Sequence, residues 1–179
     1  MPLCCRVFIA TSLDGFIART DGSIDWLMEA QRSVPEGEDC GYEDFMEEVD
    51  VLVMGRNTFE QVATFDPWPY GDLPVIVLSS QPMSEPDSPT IRVCSAGPID
   101  LVAELEAAGY RNAYIDGGQT IASFLREGLI QEMTITTIPI LLGSGRPLFT
   151  GIEHDIHLER VATRSWPFGF VQTTYRVQG

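Results

Sequence analysis

Apolar residues along this chain come in short blocks separated by segments with helical spacing. The runs 6–10 (RVFIA), 51–54 (VLVM), 75–78 (VIVL) and 113–115 (AYI) are almost continuously apolar. Such runs suit strands buried on both faces of a parallel sheet, and 91–94 adds a shorter one. Tyr42, Phe45, Met46 and Val49 fall at i, i+3, i+4 and i+7, one face of a helix. Glu43, Asp44, Glu47 and Glu48 take its other, solvated face. Leu101, Val102 and Leu105 mark a helix over 99–108 ending at Gly109, and Ile121, Phe124 and Leu125 mark another over 119–127. A short helix is expected over 59–63. Strand–helix alternation of this kind predicts an α/β fold with a mostly parallel sheet.

Beyond residue 128 the pattern changes. The segment 133–140 (MTITTIPI) is β-branched with no helix after it, which predicts a strand joining the sheet antiparallel. Pro139 confines it to an edge, an end or a bulge. Residues 158–164 and 170–177 predict a closing hairpin, with Val171, Thr173, Tyr175 and Val177 on one face and Gln172, Thr174 and Arg176 on the other. Residues 31–41, 64–73 and 81–89 are polar or proline-rich connections. The glycine-punctuated apolar segment 141–149 is a candidate subunit contact. With no repeat and no linker, the chain reads as one domain over 1–179.

The ends of the parallel strands carry the chemistry. Residues 113–115 run into Asp116, Gly117 and Gly118 and then directly into a helix. Paired glycines let another group approach the backbone, and free amides at a helix start attract anions, phosphate above all. A tight strand-to-helix turn explains the same dipeptide equally well. Gly55-Arg56-Asn57-Thr58 repeats the pattern after the second strand: Arg56 could clasp a phosphate or pair with a surface acid, and Asn57 or Thr58 could cap the helix. Ser79 and Ser80 end the third strand, and Ser12 to Gly15 the first. Trp26, beside the turn at Asp21-Gly22, either seals the core or covers a ligand. In open α/β sheets ligands bind at these strand ends. Neither GxGxxG nor GxxxxGK[ST] occurs.

The net charge of −15 argues against nucleic acid and anionic membrane as partners, yet leaves room for a small phosphorylated ligand. No apolar run is long enough to cross a bilayer, and the N-terminus lacks a signal-peptide core. Four cysteines without CxxC spacing, and His154 and His157 in a polar turn, give no metal site. A cytoplasmic protein with reduced thiols is expected.

The motifs SLDGFIA (12–18), DGSIDWL (21–27), VLVMGRNTFE (51–60), IDGGQT (115–120) and IPILLGSGRPLF (138–149), taken in order, resemble the dihydrofolate reductase-like superfamily. They are most similar to the C-terminal reductase domain of bacterial riboflavin biosynthesis enzymes, here as a stand-alone protein without the zinc deaminase half. The resemblance implies a three-layer αβα domain with a mixed, mostly parallel sheet of about eight strands. It implies an NADPH-dependent reductase of a small pterin- or pyrimidine-like heterocycle, with 5-amino-6-(5-phosphoribosylamino)uracil as a candidate, working as a homodimer. Dihydrofolate reductase, or a non-catalytic nucleotide-binding module of the same fold, are the alternatives. By that resemblance Gly55, Arg56, Asn57 and Thr58 hold cofactor phosphates, and Leu78, Ser79 and Ser80 lie at the adenosine end. Asp116, Gly117, Gly118, Gln119 and Thr120 follow the pyrophosphate, with a cis Gly-Gly bond. Ala10, Leu13, Gly15, Ile17 and Gly22 frame the nicotinamide. Trp26, Leu27, Tyr42 and Phe45 would meet the substrate, and Asp14 would supply the proton, unless it only caps its turn.

Overall fold

The computed structural model describes residues 2–84 and 86–178. The elements are β1 (Cys4–Ser12), β2 (Phe16–Ala18), α1 (Asp25–Gln31), α2 (Tyr42–Glu47), β3 (Val51–Gly55), α3 (Arg56–Val62), β4 (Val75–Leu78) and β5 (Ile91–Cys94). They continue as α4 (Pro98–Ala107), β6 (Asn112–Asp116), α5 (Gly118–Arg126), β7 (Ile130–Ile138), β8 (Arg146–Pro147), β9 (Leu158–Ser165) and β10 (Val171–Val177). Eight strands form one sheet in the order β5-β4-β3-β6-β1-β7-β10-β9, and β2 pairs with β8 apart from it.

The period of two along each central strand divides the core into two layers. In β3, Val51 and Val53 pack on one side with α4 and α5, through Leu101, Leu105, Ile121 and Phe124. Leu52 and Met54 pack on the other with Phe45 of α2 and Phe59 of α3. Ile115 and Tyr114 of β6 split the same way. No residue of 51–54 is exposed, because helices cover both faces. This is the three-layer arrangement that the family resemblance implies. A third cluster, Trp26, Cys40, Ile138 and Phe170, closes the corner between α1 and the C-terminal hairpin.

Three expectations are corrected. β7 runs parallel to β1, with Arg6 opposite Glu132 and Ser12 opposite Ile138. The helix that decides its direction is the one before it: α5 carries the chain from β6 past β1, and a returning helix makes the next strand parallel. Within the eight-stranded sheet only β10 and β9 are added antiparallel to their neighbours, and Pro139 lies just past the end of β7, so no ladder bond is lost. The second correction is α1, a helix where the sequence reads as turn and connection. It is seven residues long, has no side-chain cap and buries only Trp26, so its periodic signal is too short to stand out.

In the tail it is Gln172 that is buried and Val171 that is exposed. The Gln172 amide donates to the Cys40 carbonyl and to Thr136 Oγ1, both at 2.9 Å, which satisfies it inside the protein. Finally, neither Asn57 nor Thr58 caps α3. The helix begins at Arg56 with Gly55 as its N-cap and no side-chain cap.

Candidate functional site

The C-terminal ends of β1, β3, β4, β5 and β6 open into one cleft of about 1390 Å³. Two helix starts meet at its centre. α5 begins at Gly118 after Gly117, and α3 begins at Arg56 after Gly55; neither has a side-chain cap. Their first amides therefore keep their hydrogen-bonding capacity for a ligand, and the dipole of α5 adds positive potential there.

The two junctions interlock. A Cβ on Gly117 would stand 2.5 Å from Thr58 Oγ1, and one on Gly55 would stand 2.9 Å from Thr120 Oγ1. Gly117 also has φ +90°, a conformation that L side chains rarely adopt. Gly118 faces Ile17 Cδ1 and the Pro147 carbonyl, each 3.0 Å from where its Cβ would be. Close approach thus favours glycine at these junctions, most strongly at Gly117, where spacing and φ agree. The Gly117–Gly118 peptide is trans; the cis bond among the described residues is Asp66–Pro67.

Of the residues expected here, the cleft brings together Ala10, Ile17, Leu27, Gly55, Arg56, Asn57, Thr58, Leu78, Ser79, Ser80, Asp116, Gly117, Gly118, Gln119 and Thr120. Arg56 pairs with Glu60 one turn on, Nε to Oε1 2.6 Å. Ser79 turns its hydroxyl to the Gln81 carbonyl at 2.7 Å, whereas Ser80 is exposed and faces the cleft.

The remaining expected residues do not line it. Leu13 is exposed on the turn after β1. Gly15 donates to the Ser12 carbonyl and accepts from the Leu148 amide, both at 3.0 Å, so it ties that turn to the residue after β8. Gly22 sits under the Arg146 guanidinium, whose atoms lie 2.9–3.0 Å from where a Cβ would be. Trp26 is buried in the third cluster and seals the core. Phe45 is buried between Phe8 and Tyr114, with ring centroids 5.0 and 5.1 Å away. Tyr42 packs edge-on against Phe8 at 5.6 Å.

Asp14 is a loop clamp. Its carboxylate accepts from Ser12 Oγ at 2.6 Å, from the Gly143 amide at 2.7 Å and from the Leu142 amide at 3.1 Å. The Ser12 hydroxyl foremost, with those two amides, holds its pKa below the ordinary carboxylate value. A carboxylate kept ionised in this way is a poor proton donor.

The acid with the opposite character is Asp116, at the end of β6. It follows Tyr114 by two residues, so its side chain lies on the α2–α3 face of the sheet, and it lines the cleft together with Tyr70. Desolvation by the surrounding protein pushes its pKa up to about 6, partly offset by the Gly117 amide, which donates to Oδ1 at 2.8 Å. Tyr42 and Tyr70 sit near enough for its charge to add to the upward shift that burial gives their phenols. The alternation of Tyr114 and Asp116 in the strand is the signal that could have marked this acid. Arg126 and Arg146 also line the cleft and make no ion pair among the described residues. Nothing in the local sequence marks them, because the 145–150 segment brings Arg146 across from a distant part of the chain.

A second hollow of about 410 Å³, between α5 and residues 149–158, holds His154 beside Leu125, Met133 and Phe149. It shares no lining residue with the cleft. Among the described residues, no group of three or more His, Cys, Asp or Glu side chains is placed to hold a metal ion. No helix among them is long and apolar enough to cross a membrane.

Known proteins resemble this chain in sequence or in fold. The protein YwjB of Bacillus subtilis (strain 168) is 39% identical over 163 residues, covering 89% of this chain and 90% of YwjB. A crystal structure from Shewanella sp. PV-4, of a protein whose name connects it to riboflavin biosynthesis, superposes with a TM-score of 0.91 at 42% identity. It covers 99% of this chain and 100% of its own. Dihydrofolate reductase from Enterococcus faecalis, solved with NADP(H), superposes at a TM-score of 0.67 and 19% identity over 100% of both chains, a likeness of fold. With residues 5–171 matching the RibD C-terminal domain, the chain belongs to that family of reductase-like domains.

Proposed function

We propose that this protein is a cytoplasmic NADPH-dependent reductase. Its substrate is a small pterin- or pyrimidine-like heterocycle, in the manner of 5-amino-6-(5-phosphoribosylamino)uracil reductase. The observation that carries this reading is the interlock of Gly55 with Thr120 and Gly117 with Thr58. It brings two uncapped helix starts to one gap, where a pyrophosphate can lie against backbone amides. The E. faecalis neighbour, bound to NADP(H), supports the same ligand class.

The nicotinamide would supply the hydride; the protein's part is to bind, orient and handle the proton. Amides of 56–58 and 118–120 would hold the pyrophosphate, and Arg56 with Ser80 the adenosine end. Ile9, Ala10, Ile17 and Ala18 form the apolar wall at the other end of the cleft, suited to a flat ring and to excluding water. Reduction of a C=N or C=O bond also needs a proton. Asp116, with its pKa raised to about 6 and Oδ1 engaged by Gly117, is placed to carry that proton on Oδ2. The acids of α2 face solvent, so it is β6 that provides the acid.

A second copy of the chain is the protein partner we propose. Among the described residues all of β9 is exposed, and Phe149, Leu158, Val161 and Val171 are large exposed apolar side chains around it. Edge strands left open in this way invite pairing.

The test is titration with NADPH and NADH followed by nicotinamide fluorescence, beside an Arg56→Ala/Ser80→Ala variant. Micromolar NADPH binding that weakens at least tenfold in the variant, about 1.4 kcal/mol or more, is the expected result. Failure of both nucleotides to bind would overturn the reading.

A further inference from the structure

Arg56 and Glu60 stand one turn apart on α3, both line the cleft, and both remain about half exposed, at 42% and 52%. Arg56 opens α3 at the central gap, and the sheet register also sets it beside β4. Gly55 registers opposite Leu78 of β4, so Arg56 opens beside Ser79 and Ser80. Gly117 and Gly118 lie on the opposite flank of β3, just past Asp116, which registers opposite Met54. Adjacent strands are about 4.8 Å apart. A dinucleotide with its pyrophosphate in the gap and its nicotinamide toward β1 therefore carries its adenosine ribose to the Arg56–Glu60 pair.

The two side chains call for different riboses. A guanidinium suits a 2′-phosphate, and a carboxylate suits the 2′-hydroxyl of an unphosphorylated ribose. Here one helix face presents both, tied to each other at 2.6 Å. We propose, on the reading that this cleft binds a nicotinamide dinucleotide, that Glu60 sets the preference between NADPH and NADH. Its carboxylate competes with the 2′-phosphate for Arg56 and repels that phosphate. When no phosphate is present it accepts a hydrogen bond from the ribose hydroxyl.

Glu60→Gln keeps the helix and the side-chain volume while removing the charge. The dissociation constants of NADPH and NADH are measured for the wild type, Glu60→Gln and Arg56→Ala, at 0.05 M and 0.5 M salt. Glu60→Gln should tighten NADPH at least threefold and leave NADH unchanged or weaker. The shift should shrink at high salt, because the pair is exposed and screened. Arg56→Ala should move the ratio the other way, chiefly by weakening NADPH. 2′,5′-ADP and 5′-AMP, which lack the nicotinamide, should show the same contrast. An NADPH:NADH ratio within twofold of wild type in Glu60→Gln, or one moved toward NADH, overturns the inference and leaves the dinucleotide site standing. No binding of either dinucleotide to any of the three proteins overturns both.

Discussion

Thr58 Oγ1 lies 2.5 Å from the point where a β-carbon on Gly117 would sit, so the start of one helix occupies the space that glycine leaves at the start of another. Gly117→Ala should therefore do two things. It forces an L side chain to φ +90°, which costs on the order of 1–3 kcal/mol, and it pushes Thr58 away from α5. NADPH affinity should fall at least tenfold while the far-UV spectrum stays native. Pairing it with Thr58→Gly should restore part of the affinity but relieve none of the backbone strain. Wild-type affinity in Gly117→Ala would show that the interlock does not shape the site.

Asp116 gives a pH dependence with a definite sign. Its folded pKa of about 6 stands above the ordinary value, so the fold favours the neutral carboxyl. That contribution to stability is complete below about pH 4 and is lost as pH rises through 6. Asp116→Asn should thus be the more stable protein at pH 8, by up to roughly 2–3 kcal/mol, and should lose the advantage at pH 4. If the carboxyl is the proton source, wild-type kcat/KM with an accepted heterocycle falls above pH 6. The variant should then retain NADPH binding and lose turnover at every pH. Denaturant melts and a pH–rate profile read the two effects separately.

Asp14 should behave in the opposite manner. Its pKa is depressed by the Ser12 hydroxyl and by the amides of 142 and 143, so its support for the fold is present above the ordinary carboxylate range. It disappears as pH falls through the folded value. Asp14→Asn should lower the melting temperature at pH 7 and loosen the 141–143 segment to proteolysis, with the shape of the pH–rate profile unchanged. A variant that lost the limb near pH 6 would return Asp14 to the chemistry.

The proposed dimer makes a structural demand on the choice of probes. Leu148 is fully buried, so changing it would test folding rather than association. Phe149 and Val161 are exposed, and Phe149→Asp combined with Val161→Asp should yield a monomer by light scattering with its melting temperature little altered. An unaltered dimer would place the contact elsewhere.

Much of this architecture can be read from residue order. Runs such as VLVM and VIVL leave no solvated face, and four glycine or serine junctions recur after parallel strands. The direction of β7 is not legible from the residues beyond it, because strand direction is set by the helix that precedes the strand. α1 is hard to see because one buried tryptophan in seven residues makes no period. At the site, backbone-dictated positions such as Gly55, Gly117 and Gly118 are legible, since glycine leaves the room that their neighbours take. Side chains whose role depends on where a loop returns are not. Asp14 looks like an acid at the sheet mouth until the 141–143 segment closes on it, and Gly22 looks like a ligand contact until Arg146 lies over it.

A pyrophosphate bridge in the central gap would touch parts of the chain that meet only when β3 and β6 are already side by side. Neither half of the molecule owns a complete cradle. Nucleotide affinity is consequently a readout of assembly as well as of chemistry: a ligand that binds only the assembled form raises the unfolding free energy by about 2.7 kcal/mol at roughly a hundred times its dissociation constant. Split or circularly permuted versions of the chain could be ranked by that gain alone, with no substrate in hand.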